Sequence, residues 1–167
     1  LRIDTKKQPA ITENELRTIV DVSHKEGVIE SEERQMITNV VDFGDSLAKD
    51  VMVPKMDVAF ANVKLSYNEL VECYSVDKFT RMPVYSESRD NVVGIINLKD
   101  LFFYQGSKKD FSIADVMREP YFTYEYKKIS ELFFEMKKES IPMAIVLDEY
   151  GSTAGMLTIE DLIEEIV

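Results

Sequence analysis

Gly94-Ile95-Ile96-Asn97-Leu98-Lys99-Asp100-Leu101 is echoed by Gly155-Met156-Leu157-Thr158-Ile159-Glu160-Asp161-Leu162. Each stretch opens on glycine and runs through apolar residues as a strand does. Each then reaches a polar residue followed three positions later by aspartate, as a helix start does. The echo extends outward. Asp50-Val51-Met52 recurs as Asp115-Val116-Met117, and Met82-Pro83-Val84 is matched to Ile141-Pro142-Met143. The helix around Leu70 recurs over residues 129–139, with Leu132, Phe133 and Met136 facing inward. The offsets are 65, 59 and 61 residues, a repeat with minor insertions.

Within one copy the order is β-α-β-β-α. Residues 58–61 form a short apolar run. Ser66 and Glu69 make a capping box ahead of Leu70, Val71 and Tyr74. Strands at 82–85 and 92–96 flank a polar turn, and a helix begins at Leu98. Two such copies predict an α+β fold with pseudo-two-fold symmetry; a solenoid needs three or more units.

Ahead of the repeat lies a helical hairpin. Thr12 and Glu15 form a capping box, Leu16, Ile19 and Val20 follow at helical spacing, and Gly27 is a stop. Ser31-Glu32-Glu33 opens a second helix carrying Met36, Ile37, Val40 and Val41, and Phe43-Gly44-Asp45 closes it. The hairpin has too few apolar residues to stand alone, so it packs on the repeats or on a partner chain. The division expected is 1–45 for the hairpin, 46–109 for the first repeat and 110–167 for the second.

The 167 residues hold 20 Lys+Arg against 31 Asp+Glu, a formal net charge of −11. Phosphate backbones are held by clustered Lys and Arg, so this balance argues against a nucleic-acid binder. The excess sits at the ends: residues 148–167 carry six acids and no bases, whereas the middle is nearly neutral. Cys73 is the only cysteine, which excludes a disulfide scaffold. The longest apolar run, Met143–Leu147, is far too short for a membrane helix. Both ends look cut, so a soluble piece of a longer protein is expected.

Thr158 at the helix start could offer a hydroxyl to a phosphate, and Asp161 could accept hydrogen bonds from a ribose diol. Gly155 could let another backbone or a ligand come close. The competing reading is local, since Thr-x-x-Asp is also a variant of the capping box.

With these motifs in place, the sequence resembles a known family. The paired repeats look like tandem CBS domains, a Bateman module. Glu13 to Arg17, Glu26-Gly27-Val28-Ile29-Glu30, Phe43-Gly44-Asp45, Asp50-Val51-Met52-Val53-Pro54, Arg81-Met82-Pro83-Val84-Tyr85 and Asp148-Glu149-Tyr150-Gly151 are similar to the CorC/HlyC (CNNM-like, hemolysin-related) proteins. Those are membrane proteins linked to magnesium and other divalent-cation transport. The resemblance implies a regulatory module at the cytoplasmic face of the cell membrane, part of an integral membrane protein and paired into a homodimer. Its ligand would be AMP, or ATP with Mg²⁺.

The resemblance also implies a site. Asp57, Val58, Met82 and Pro83 would form the adenine side, Thr158 and Asp161 the ribose and phosphate side, and Arg81 would reach the phosphates. A second, weaker site would hold Asn97, Asp100, Ile141 and Pro142. Three departures stand out: Val53 where many members have Thr, Asn97 in place of Ser/Thr, and Ser140 opposite Arg81 in the repeat. They imply one competent site, built on Arg81 and Thr158.

The remaining residues carry little chemistry. His24 is the only histidine, so no His-based metal site is expected, and it reads as a surface helix residue. Cys73 and the eight Met read as core or interface. Glu160, Glu164 and Glu165 read as a solvated helix face rather than a Mg²⁺ site. No P-loop, nucleophile–base pair or paired catalytic carboxylates appear, so no enzyme is expected. A ligand-free dimerisation module is the alternative function.

Overall fold

The structure is a computed structural model that describes residues 10–167; the first residues of the expected hairpin lie outside that range. Helix α1 (Glu13–Lys25) begins at Thr12, whose hydroxyl accepts from the Glu15 N–H while Glu15 accepts from the Thr12 N–H. It ends before Gly27, whose φ of 75° is cheap only for glycine. Helix α2 (Ser31–Phe43) returns antiparallel and is clamped to α1 by Arg17–Asp42 and Arg34–Asp21 ion pairs at 2.6 and 2.7 Å. Of the hairpin's described apolar residues only Val20 and Phe43 are buried; Leu16, Ile19, Val22, Met36, Ile37 and Val40 stay exposed. The hairpin touches the second repeat through Phe43 and through Asn39, which donates to the Ile166 carbonyl.

The two repeats run as α3 (Ala48–Val51), β1 (Val53–Pro54), β2 (Ala61–Asn62), α4 (Tyr67–Asp77), β3 (Arg81–Tyr85), β4 (Val92–Asn97) and α5 (Leu98–Phe102), then α6 (Ile113–Val116), β5 (Tyr121–Tyr124), α7 (Ile129–Lys138), β6 (Met143–Leu147), β7 (Thr153–Thr158) and α8 (Ile159–Glu164). A single 3₁₀ turn, Lys55–Asp57, succeeds β1. One sheet has the order β2-β3-β4 and the other β1-β7-β6-β5. In each, the strand before the helix pairs parallel with the strand after it, and a hairpin closes the set.

The repeats exchange their leading segments. Strand β1, from the first repeat, adds to the second repeat's β7 through Val53↔Met156 and Pro54↔Gly155. Arg118, just after α6, bridges the first repeat's Ile95 in return, with N–H···O distances of 2.9 and 2.8 Å. Packing reflects the exchange. Ala48 of α3 is buried with Leu132, Met136, Val146 and Leu157 of the second repeat. Ile113 of α6 is buried with Leu70, Met82, Val84 and Ile96 of the first. A third cluster, Val92, Ile95, Met143 and Ile145, seals the two sheets against each other.

Strand register corrects one match. Arg81 pairs with Asn97, and Met143 pairs with Thr158, so Met143, not Ser140, is the counterpart of Arg81. The left-handed residues after α4 and α7, Lys78 (φ 53°) and Ser140 (φ 55°), give the same offset of 62 residues. Proline misleads the sequence match: Pro83 lies inside β3, whereas Pro142 precedes β6.

Side chains alternate across a strand. Met82 and Val84 therefore point into the helix-side core, leaving Arg81 and Pro83 on the face toward the other repeat. The Tyr74 hydroxyl donates to the Ile96 carbonyl at 3.0 Å inside that core. Burial first, and the nearby Asp100 charge second, push its ionisation upward. Replacing Tyr74 with Phe is expected to cost about 1 kcal/mol, the usual net worth of one buried hydrogen bond, read by urea denaturation.

A second network ties β5 to α7. Glu135 accepts from Lys127 at 2.8 Å and from the Tyr121 hydroxyl at 3.0 Å. These bonds, Lys127 first, hold its carboxyl below the usual range. A carboxyl lowered in the folded state stabilises above its unfolded pKa of about 4.3 and loses that stabilisation as pH falls through the folded value. Glu135→Gln is therefore expected to flatten the acid side of the stability profile below about pH 4.3, measured as denaturation midpoint against pH.

Candidate functional site

Between the two sheets lies a cavity of about 210 Å³. Its walls are Arg81, Ile95, Asn97, Arg118, Glu119, Tyr121, Ser140, Ile141, Pro142 and Met143. A more open hollow adjoins it, sharing Arg81, Ser140, Ile141 and Pro142 and adding Ile159 and Glu160 at the start of α8. Arg81 thus stands between the two halves of the cleft. Its Nη1 lies 3.7 Å from Glu160 Oε1, and its Nε is buried with no hydrogen-bond partner.

Thr158 ends β7 beside Met143, and the Ile159 N–H donates to the Pro142 carbonyl at 3.2 Å. Thr158 and Asp161 form a full capping box: the Asp161 N–H donates to Thr158 Oγ1 at 3.2 Å, and the Thr158 N–H donates to Asp161 Oδ2 at 2.7 Å. The local reading of Thr-x-x-Asp therefore holds, but it uses only one oxygen of Asp161. Among the described residues no cation pairs with that carboxylate. Helix α8 has six residues, too few for a strong dipole, so a phosphate here would depend on Arg81 for charge.

The first repeat is arranged differently. Asn97 caps α5 by accepting from the Lys99 N–H at 3.0 Å. Asp100 is held by the Arg118 fork, Nε to Oδ2 at 3.1 Å and Nη2 to Oδ1 at 2.8 Å. That pair raises the ionisation of Arg118 still further.

The structure thus brings Arg81 to the first turn of α8, and places Asn97, Ile141 and Pro142 around the enclosed cavity with Arg81. Neither hollow is lined by Asp57, Val58, Met82 or Pro83, nor by Asp100, Thr158 or Asp161. Met82 has no exposed surface and Val58 is 5% exposed; both are core, because strand alternation turns Met82 toward α4. Asp57 is exposed in the 3₁₀ turn, and Pro83 is buried on the intersheet face of β3.

Sequence reasoning missed Arg118 and Tyr121. Carrying the match of Asp50-Val51-Met52 with Asp115-Val116-Met117 one residue further would have set Arg118 opposite Val53. Among the described residues no group of three or more His, Cys, Asp or Glu could hold a metal ion, and no helix is long and apolar enough to cross a membrane.

Comparison with known proteins agrees with this architecture. The CBS-domain family profile matches residues 48–107 and 113–167. The chain belongs to the CBS-domain family as a tandem pair of the CNNM/CorC kind. It is similar to the UPF0053 protein YugS of Bacillus subtilis, with 35% identity over 96% of this chain, and spans 37% of that relative's length. It is also similar to the CBS domain of a bacterial CNNM/CorC family Mg²⁺ transporter, with 33% identity, a TM-score of 0.88, and coverage of 94% of this chain and 96% of that one. A structure of the CBS domain of the bacterial CNNM/CorC family Mg²⁺ transporter in complex with ATP aligns at 33% identity and a TM-score of 0.78, covering 81% of this chain and 96% of that one.

Proposed function

We propose that this CBS pair is a regulatory module that binds an adenine nucleotide, AMP or Mg²⁺-ATP, and controls a membrane-embedded magnesium or divalent-cation transporter of which it is part. The nucleotide lies between Arg81 and the first turn of α8, with its ribose on Asp161 and its phosphates on Arg81. The observation that carries this is Arg81: a guanidinium at the midpoint of the cleft, with a buried Nε that no described residue satisfies. A buried donor without a partner costs free energy, which a shift of the guanidinium onto an incoming phosphate would recover. The ATP complex of a 33% identical CBS pair supports the ligand class.

The module performs no catalysis. Occupancy acts by biasing the angle between repeats or between two paired modules, to the extent that the nucleotide binds one arrangement more tightly. The N-terminal hairpin passes that bias to a membrane domain, and on this reading the module lies at the cytoplasmic face. Exposed Phe102, Phe103 and Phe134 favour a homodimer, and with it the second reading of a ligand-free dimerisation module. Calorimetry with AMP, ADP and ATP, with and without Mg²⁺, separates the two. Saturable heat supports the nucleotide reading, and a flat response at millimolar concentrations supports the other.

A further inference from the structure

The internal two-fold makes each half of the cleft a control for the other. Asn97 and Asp100 occupy in the first repeat the places that Thr158 and Asp161 occupy in the second. The residue that crosses over to each half is also matched. Val53 pairs with Met156 beside Thr158, and Arg118 pairs with Ile95 beside Asn97. The two halves therefore differ at one decisive point. The second half receives an apolar Val at that crossing position, whereas the first receives an Arg that reaches Asp100 and occupies both of its oxygens.

We propose that Arg118 is the specificity-determining residue of the cleft, keeping nucleosides out of the Asn97 half by occupying the carboxylate that would accept a ribose diol. The inference rests on the nucleotide reading given above. A diol must displace a charge-assisted fork to reach Asp100, whereas Asp161 has an unused oxygen and no cation to displace. The enclosed cavity is otherwise suited to a ligand. It has an apolar wall of Ile95, Ile141, Pro142 and Met143, and Arg81 at one end. The Arg118 side chain is 69% exposed, so removing it leaves no hole in the core.

Calorimetric stoichiometry with AMP tests this in four proteins: the parent, Arg118→Val, Asp161→Asn and the double variant. Arg118→Val copies the residue of the sister half. The expected equivalents per chain are one, two, one and two, with the Asp161 site of the last two proteins weakened roughly 10- to 100-fold and the new site losing at least about tenfold affinity for the 2′,3′-dideoxy analogue, the worth of a charge-assisted hydrogen bond. A parent and an Arg118→Val protein that both bind one equivalent overturn the inference and leave the nucleotide reading intact. A parent that binds none while Arg118→Val binds one overturns the Thr158/Asp161 reading and leaves the inference standing. Should Arg118→Val unfold, as judged by circular dichroism, Arg118→Ala gives the same readout; one equivalent in that protein, unchanged from the parent, overturns the inference.

Discussion

Gly155→Ala is expected to lower stability by about 2–3 kcal/mol, in the upper range for overpacking a filled site, and the matched Gly94→Ala by much less. The two glycines are counterparts, yet a methyl group on each meets different neighbours. At Gly155 a Cβ would press against the backbone carbonyl of Val53, with Met52 Sδ at 3.0 Å. The carbonyl belongs to β1, so relief requires moving the strand that the first repeat lends to the second. At Gly94 the nearest atoms belong to the Met117 side chain, whose Sδ and Cγ can rotate away while its Cβ, at 3.1 Å, needs only a small shift. Chemical denaturation followed by circular dichroism checks both. Equal losses would mean that the β1–β7 contact does not hold the exchanged segment.

The second large effect is on ligand binding. Asp161→Asn is expected to weaken AMP and ATP binding by roughly 10- to 100-fold, the worth of one or two charge-assisted hydrogen bonds. Arg81→Ala is expected to cost as much for ATP, but to leave adenosine nearly unaffected, because its role is toward phosphate. Asp161→Asn should weaken adenosine as well, because its role is toward the ribose. This crossed pattern is hard to produce by damage to the fold, which would weaken every ligand alike. Thr158→Ile adds a stability loss of about 1 kcal/mol from the missing cap, so its binding loss is read only after thermal denaturation shows that the protein is folded.

Much of the fold is legible in the sequence because local chemistry and the repeat agree. The Thr12–Glu15 and Ser66–Glu69 capping boxes start α1 and α4 where the sequence places them. The glycine-led strand and helix start recur as β4–α5 and β7–α8. The errors come from long-range register. Matching Pro83 to Pro142 is reasonable by residue type, but strand pairing and the left-handed residues Lys78 and Ser140 set the offset at 62 residues. The family resemblance implies Met82 as ligand wall, although alternation sends it into the core.

The exchange of β1 is not visible in the sequence at all, since a two-residue strand carries no periodicity. Gly155 has two readings, a close backbone or a close ligand. The structure shows the backbone, that of Val53. The net charge of −11 argues against nucleic acid. The structure narrows that result: the cleft carries Arg81 and Arg118 alongside Glu119 and Glu160, while the acidic residues Glu164 and Glu165 stand exposed at the end of the chain.

The most direct test of the nucleotide-binding claim is a crystal structure of the chain grown with AMP or Mg²⁺-ATP. The expected result is nucleotide density between Arg81 and the first turn of α8, with the ribose hydroxyls on Asp161, a phosphate within hydrogen-bond distance of Arg81, and the Arg118–Asp100 pair unchanged. Nucleotide seated against Asn97 with that pair opened, or an empty cleft at saturating nucleotide, would contradict it.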